Sequence, residues 1–316
     1  MLIEMVRRIL YFVEVLVLKY LAIDIGGTYV KYALMSEMAE ILEKSKVRTP
    51  VGYDKTIDDL MCVLEGIITG YLPDIEGIAI SMPGILDSET GYSYTGGAIH
   101  YLFDQNLSLL LQNRFNIAVT IQNDGKCAAV AELWKGSLMN VKNGAVVLLG
   151  TGVGGGIIID GKLYTGKNFA AGEMSFMLTN PDREEYWGST NGVNYLLKLA
   201  SEKTEIPVSE LDGVKVFEMA NQGNEMILNA IEMYTEKLAI QLFNLQALLD
   251  LEVFAIGGGI SSQPILLEYL QKHIDNLCSR HPYRDFMPLL LTPKVTTCKF
   301  FNDSNLIGAM YHHLNK

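Results

Sequence analysis

Between residues 101 and 272 the chain has no histidine, and only His100, His273, His281, His312 and His313 occur elsewhere. Cysteine is as sparse: Cys62, Cys127, Cys278 and Cys298 stand far apart, with no CxC or CxxC pair. A metal knuckle of closely spaced ligands is therefore not expected. Scattered thiols without a secretion signal read as buried, reduced cysteines of a cytoplasmic protein. Basic charge is also short. Lys plus Arg is 25 against 36 Asp plus Glu, a net charge of −11, so neither nucleic acid nor an anionic membrane surface is an expected partner. Residues 9–18 are apolar but broken by Glu14, and fall short of the ~20 residues of a membrane-spanning helix. The Arg7-Arg8 pair before them imitates a signal peptide, yet no small-residue cleavage site follows. Residues 1–19 are read as an extension of unknown role, with an added helix or strand, or a targeting segment, as alternatives.

What remains is a globular chain. It has 316 residues, of which 49% are hydrophobic and 19% charged, enough for about two domains. Apolar runs at 20–25, 29–35, 41–47, 77–81, 117–121, 145–149, 157–159 and 253–256 read as strands. Helical periodicity marks 56–71, where Asp54 or Thr56 is the expected cap, then about 104–114, an Ala-rich helix to Trp134, 190–201, 225–249, a helix from Pro264, and 303–314. Strands alternating with helices argue for α/β layers. Glycine, 29 residues in all, clusters after three of the strands.

Two of these clusters look alike. Asp24-Ile25-Gly26-Gly27-Thr28 and Leu149-Gly150-Thr151-Gly152-Val153-Gly154 each follow an apolar strand and return as another. A turn without Cβ atoms lets backbone N–H groups approach an anion, and a Thr hydroxyl adds a donor. Asp24 is too acidic to touch phosphate but suits Mg²⁺ held through waters. Lys31, on the return strand, offers charge to a phosphate. One such turn is as readily an ordinary hairpin. Two, with Gly257-Gly258-Gly259 after a later strand, favour two similar lobes around one nucleotide. Neither the P-loop nor the GxGxxG fingerprint is present.

The motifs resemble those of the ROK family of sugar kinases and regulators. Ile23-Asp24-Ile25-Gly26-Gly27-Thr28 with Lys31 is similar to its first phosphate motif. Ser81-Met82-Pro83-Gly84-Ile85-Leu86-Asp87 is similar to its SxPGxxD turn, and Asn123-Asp124, Ala128, Ala129 and Glu132 to its NDxxxAAxxE segment. The run from Leu149 to Gly156, then Ala171-Gly172-Glu173, then Ile256-Gly257-Gly258-Gly259 follow in the family's order. The resemblance implies an α/β, bilobal actin-like (ribonuclease H-like) ATPase fold. An N-terminal lobe would comprise 20–122 plus the C-terminal helix 303–316, and a C-terminal lobe 123–302. ATP and sugar would lie between them. It implies Asp124 as the catalytic base; Asp24, Gly26, Gly27, Thr28, Lys31, Thr151, Gly152, Gly154, Gly257, Gly258 and Gly259 at ATP; and Gly84, Asn123, Asp124, Glu173 and Ser189 at the sugar. Alternatives stay open for several. Asn123-Asp124 also suits a turn capping the next helix, and Gly257–Gly259 a helix C-cap or loop.

The sequence departs from the family at one place. Where the family shows ExGH and a zinc-binding cysteine cluster, this chain has Glu173-Met174-Ser175-Phe176 and then Trp187-Gly188-Ser189-Thr190 without cysteine. No zinc site is expected. Phe176 and Trp187 are either core aromatics or apolar faces for a sugar substituted at its anomeric oxygen. The segment is similar to zinc-less members, including β-glucoside and hexosamine kinases. The expectation is an ATP- and Mg²⁺-dependent, homodimeric, cytoplasmic sugar kinase acting on the 6-OH of a glucose-type or β-glucoside substrate. An N-acetylhexosamine (N-acetylmannosamine-type) kinase and a non-catalytic sensor or regulator are the alternatives. A DNA-binding module does not fit in the short stretch before Asp24.

Overall fold

A computed structural model describes residues 18–285 and 291–316. The reading of residues 1–19 as an extension lies outside them except at its end, where Lys19 already opens the first strand.

Two five-stranded sheets have the same plan. In the first, β1 (Lys19–Ile25), β2 (Tyr29–Ser36) and β3 (Ile41–Arg48) form an antiparallel meander, and β4 (Gly77–Met82) and β5 (Ala118–Asn123) add in parallel, giving the order β3-β2-β1-β4-β5. In the second, β6 (Gly144–Leu149), β7 (Val153–Ile159) and β8 (Lys162–Tyr164) repeat the meander, and β9 (Val253–Gly257) and β10 (Val295–Thr297) repeat the parallel pair, giving β8-β7-β6-β9-β10. β4 is buried at every residue, as a central strand covered on both faces must be.

Each sheet has an outer layer. α1 (Ile57–Thr69) and α2 (Leu107–Phe115) cover the first, and their leucines share a core with Leu21, Ile23 and Ile80. Thr56, not Asp54, is the N-cap of α1, and its N–H donates to Asp59. The second sheet is covered by α4 (Trp187–Asn191), α5 (Val193–Thr204), α6 (Gly213–Asn221), α7 (Glu225–Leu249) and α8 (Pro264–Arg280).

Between the sheets run α3 (Asp124–Lys135) and α9 (Ser304–Leu314). The alanines of α3 now have a reason. Cys127 and Ala131 pack with Ala22, Ala79 and α9, while Ala128 and Ala129 pack with Val146, Ile158 and Ala255 of the other sheet. A helix buried on both sides has room only for small side chains. The crossing with α9 is closer still, since a Cβ on Gly308 would stand 1.8 Å from the Cys127 carbonyl oxygen. At the far end of α3, the buried Glu132 accepts N–H bonds from Ser137, Lys299 and Phe300, and so fastens the helix to the chain leading into α9.

Three expectations shift. The strand read as 117–121 continues to Asn123, so Asp124 is already helical. The helix read as 190–201 is two pieces, α4 and α5. The glycine run after β6 is not all turn: Val153 resumes pairing, which puts Gly154, Gly155 and Gly156 inside β7.

Candidate active site

The register of the first sheet assembles the first carboxylate. Asp24 at the end of β1 pairs with Ser81 of β4 on one side and Lys31 of β2 on the other. The Ser81 hydroxyl donates to its Oδ1 at 2.9 Å, Asn305 Nδ2 of α9 donates to the same oxygen at 3.0 Å, and Lys31 Nζ lies 3.4 Å from Oδ2. Asp24 is buried and held from three elements. Lys31 flanks Asp24 with its side chain still 41% exposed.

Beyond it the chain turns. The Gly26 N–H bonds back to Tyr29 O, and Gly27 and Thr28 are exposed. In the second sheet the matching turn is only Gly150-Thr151-Gly152, closed by Gly150 N–H to Gly152 O at 3.0 Å. Thr151 is exposed. Ser175 braces this turn by accepting the Val153 N–H, and the Val193 N–H donates to Gly150 O. Gly257 ends β9 against Leu148 and Cys298, where a side chain would collide, and Gly258 has φ +95° beside Leu149 O. Neither has room for a side chain, whereas Gly259 faces open space. No helix leads directly into them, so the C-cap alternative falls.

A cleft of about 640 Å³ opens at the head of α3. Asn123, Asp124 and Glu173 line it, with Gly84 and Ile85 and the segment Thr95–Gly97 opposite. Gly84 has φ +105°, and a Cβ there would stand 2.0 Å from Thr95 O. His100, Phe103 and Phe176 form the rim, and Phe103 and Phe176 are 63% and 68% exposed. Asn123 has its amide committed at both ends: Nδ2 donates to Gly84 O and Oδ1 caps α3 by accepting the Lys126 N–H. The capping alternative is thus part of how the cleft is built. Asp124 accepts the N–H of Gly125 at 2.7 Å. Burial pushes its carboxyl up to about 6, and the charges of Asp24 and Glu173 add to the rise; the Gly125 N–H and Lys126 oppose it.

Ser189, expected at the sugar, and Trp187, left open between core and sugar, both lie outside the cleft lining. The Ser189 hydroxyl is tied to the Tyr186 backbone, accepting its N–H and donating to its carbonyl, and Ser189 is not among the cleft residues. Trp187 is fully buried in the core of the second sheet. The core alternative therefore holds for Trp187, and Phe176 alone of the two reaches the cleft.

Sequence reasoning missed Lys126, whose side chain is 2% exposed and whose Nζ stands 2.9 Å from Glu173 Oε1. Its signal was a lone cation in the first turn of an Ala-rich helix, the end where a helix dipole disfavours positive charge. Thr95, His100 and Phe103 were missed because their loop has no periodicity to read; the Gly96-Gly97 pair was its one mark.

The ROK family model matches residues 20–315. The β-glucoside kinase of Klebsiella pneumoniae is 29% identical over 300 residues, covering 93% of this chain and 96% of that one. The N-acetyl-D-glucosamine kinase of Photobacterium profundum is 28% identical over 315 residues, covering 94% and 100%. Among solved structures, a ROK family protein from Streptococcus pneumoniae TIGR4 in complex with sucrose superposes with a TM-score of 0.83 at 29% identity, covering 94% of this chain and 98% of that one.

Proposed function

The chain belongs to the ROK family, and we propose that it is an ATP-dependent sugar kinase whose substrate is a glucose-type sugar substituted at its anomeric oxygen, phosphorylated at the 6-OH. One observation carries the choice of substrate. The cleft headed by Asp124 ends in two exposed aromatic faces, Phe103 and Phe176, with Phe176 at the position where the family motif has histidine. An apolar face stacks on a sugar ring or an aglycone and does nothing for a free anomeric hydroxyl.

In this reading Asp124 accepts the proton of the attacking hydroxyl, a role typically worth about 10²–10⁴-fold. Glu173 accepts from a second hydroxyl. The exposed turns at Gly27-Thr28 and Thr151 face the phosphates with backbone donors, and positioning supplies most of the remainder. Asp24 suits Mg²⁺ held through water: Oδ1 already accepts from Ser81 and Asn305, while Oδ2, with Lys31 Nζ 3.4 Å away, keeps a lone pair for a metal-bound water. When bound, the ion would neutralise charge on the phosphates. The reading includes the lobe division at 20–122 with 303–316 against 123–302, a homodimer and a cytoplasmic location. Among the described residues no helix is long and apolar enough to cross a membrane.

ADP release measured across cellobiose, an aryl β-glucoside, glucose, N-acetylglucosamine and N-acetylmannosamine tests the substrate. The β-glucosides are expected to have the highest kcat/KM. Phe176→Ala is expected to lower kcat/KM on them about tenfold and to leave glucose nearly unchanged, the scale of one aromatic contact. A wild-type preference for free glucose would overturn the substrate assignment.

The base also sets a pH limb. It must be ionised to act, so kcat/KM should level off above about pH 7 and fall about tenfold per pH unit below about 6. A profile that stays level down to pH 5 removes Asp124 as the base.

A further inference from the structure

We propose that Lys126 is a positioning residue for the sugar: its buried ammonium holds one oxygen of Glu173, so that the other is presented to a substrate hydroxyl. The inference rests on the kinase reading above.

Lys126 is an expensive residue where it stands. It is a cation in the first turn of α3, against the helix dipole, and its side chain is 2% exposed. An apolar residue of equal length would fill the same space between the sheets without either cost. Violations of this kind are expected at functional sites. What the ammonium gains is one charge-assisted hydrogen bond, 2.9 Å to Glu173 Oε1. Glu173 lines the cleft beside Asp124, in the loop ahead of the short turn Met174–Phe176.

The connection is direct. Lys126 is rooted two residues after Asp124, and its own N–H is the one that Asn123 caps. The same turn of helix therefore presents the base and reaches across to fix the hydroxyl acceptor. With Oε1 engaged, Oε2 is the oxygen left for a substrate, and a carboxylate oxygen takes only donors. The Lys126 charge also offsets part of the repulsion that Asp24 and Glu173 exert on Asp124. It is not placed to bind phosphate, since its Nζ is enclosed and already committed to Glu173.

The test uses the full chain. Lys126→Met removes the charge at similar length. Lys126→Gln keeps an N–H donor and guards against a variant that fails to fold. Lys126→Met is expected to raise the sugar KM about tenfold or more, the scale of a lost hydrogen bond to a charged group, and Lys126→Gln less, both with the ATP KM within about twofold of wild type. On a Glu173→Gln background, Lys126→Met should add little further to the sugar KM. An unchanged sugar KM, a raised ATP KM in its place, or effects that simply multiply would overturn the proposal. Wild-type protein that releases no ADP with any sugar would instead overturn the kinase reading. Wild-type turnover with unaffected Lys126 variants sinks this inference alone.

Discussion

Asp124→Asn is expected to lower sugar-dependent ADP release by roughly 10²–10⁴-fold while making the protein more resistant to heat at pH 8. The first effect follows from the proposed role of Asp124 as proton acceptor at the head of α3. The second follows from the same burial that raises the carboxyl pKa. Folding holds Asp124 in its neutral form up to about pH 6, well above the usual carboxylate range. Above that pH the folded protein carries an ionised group that it disfavours; below about pH 4 the group is neutral in both states and the cost vanishes. Each tenfold change in the ionisation equilibrium corresponds to about 1.4 kcal/mol, so the cost at pH 8 is of the order of 1–3 kcal/mol, the lower figure allowing for water in the cleft. Asparagine is neutral throughout. The variant should therefore melt a few degrees higher than wild type at pH 8 and equally at pH 4. Paired melting curves and turnover measurements check both. Near-normal turnover would take the base away from Asp124, and a lower melting temperature at pH 8 would contradict the electrostatic account.

The second large effect concerns a residue outside the cleft lining. Gly308→Ala is expected to lose stability beyond the usual 1–3 kcal/mol of an overpacked core. The added methyl would lie 1.8 Å from Cys127 O and 2.3 Å from the carbonyl carbon. These are backbone atoms of α3, so no rotamer change relieves the contact and the helices must part. Parting them moves α3, and with it Asp124. Urea titration should show a midpoint well below wild type, or the variant should fail to accumulate as folded protein. Gly66→Ala is the control. It is also a helical glycine, but nothing lies within 4 Å of its Cβ position, so it should be neutral or stabilising by about 0.5–1 kcal/mol. A Gly308→Ala protein as stable as wild type would mean that the helices cross less closely.

Much of this was legible in the residues. Strands buried on both faces announce themselves as apolar runs, and a strand followed by Gly-Gly-Thr announces its turn. That is why Asp24, Thr28, Thr151 and Asp124 fall at strand ends or beside them. Composition misled where glycine does two jobs. Gly156 sits in β7 because α3 presses on that strand, where a Cβ would meet Ala129 at 2.6 Å, and Gly155 because a Cβ there would meet the Val146 carbonyl oxygen of β6 at 2.1 Å. Close approach and tight turning both call for a missing side chain, and sequence does not distinguish them. Nor does it tell an aromatic in a core from one on a rim; Trp187 and Phe176 separated only in three dimensions. The cleft wall from Thr95 to Phe103 was invisible for another reason. Its place is set by long-range contacts, Gly84 against Thr95 above all, which leave no local period.

The fastening of Glu132 to Lys299 and Phe300 has a mechanical consequence. With its tail pinned and its body wedged between the sheets, α3 would be the axle of any swing between them. Were one half of the molecule to swing over the other as substrates enter, points on the axle would travel least. Asp124 rides at its tip, so the proton acceptor would stay almost stationary while Phe103 and Phe176 close around the guest. Crystals grown with and without sugar should then preserve the spacing between the Glu132 carboxylate and the Lys299 amide, whatever the swing.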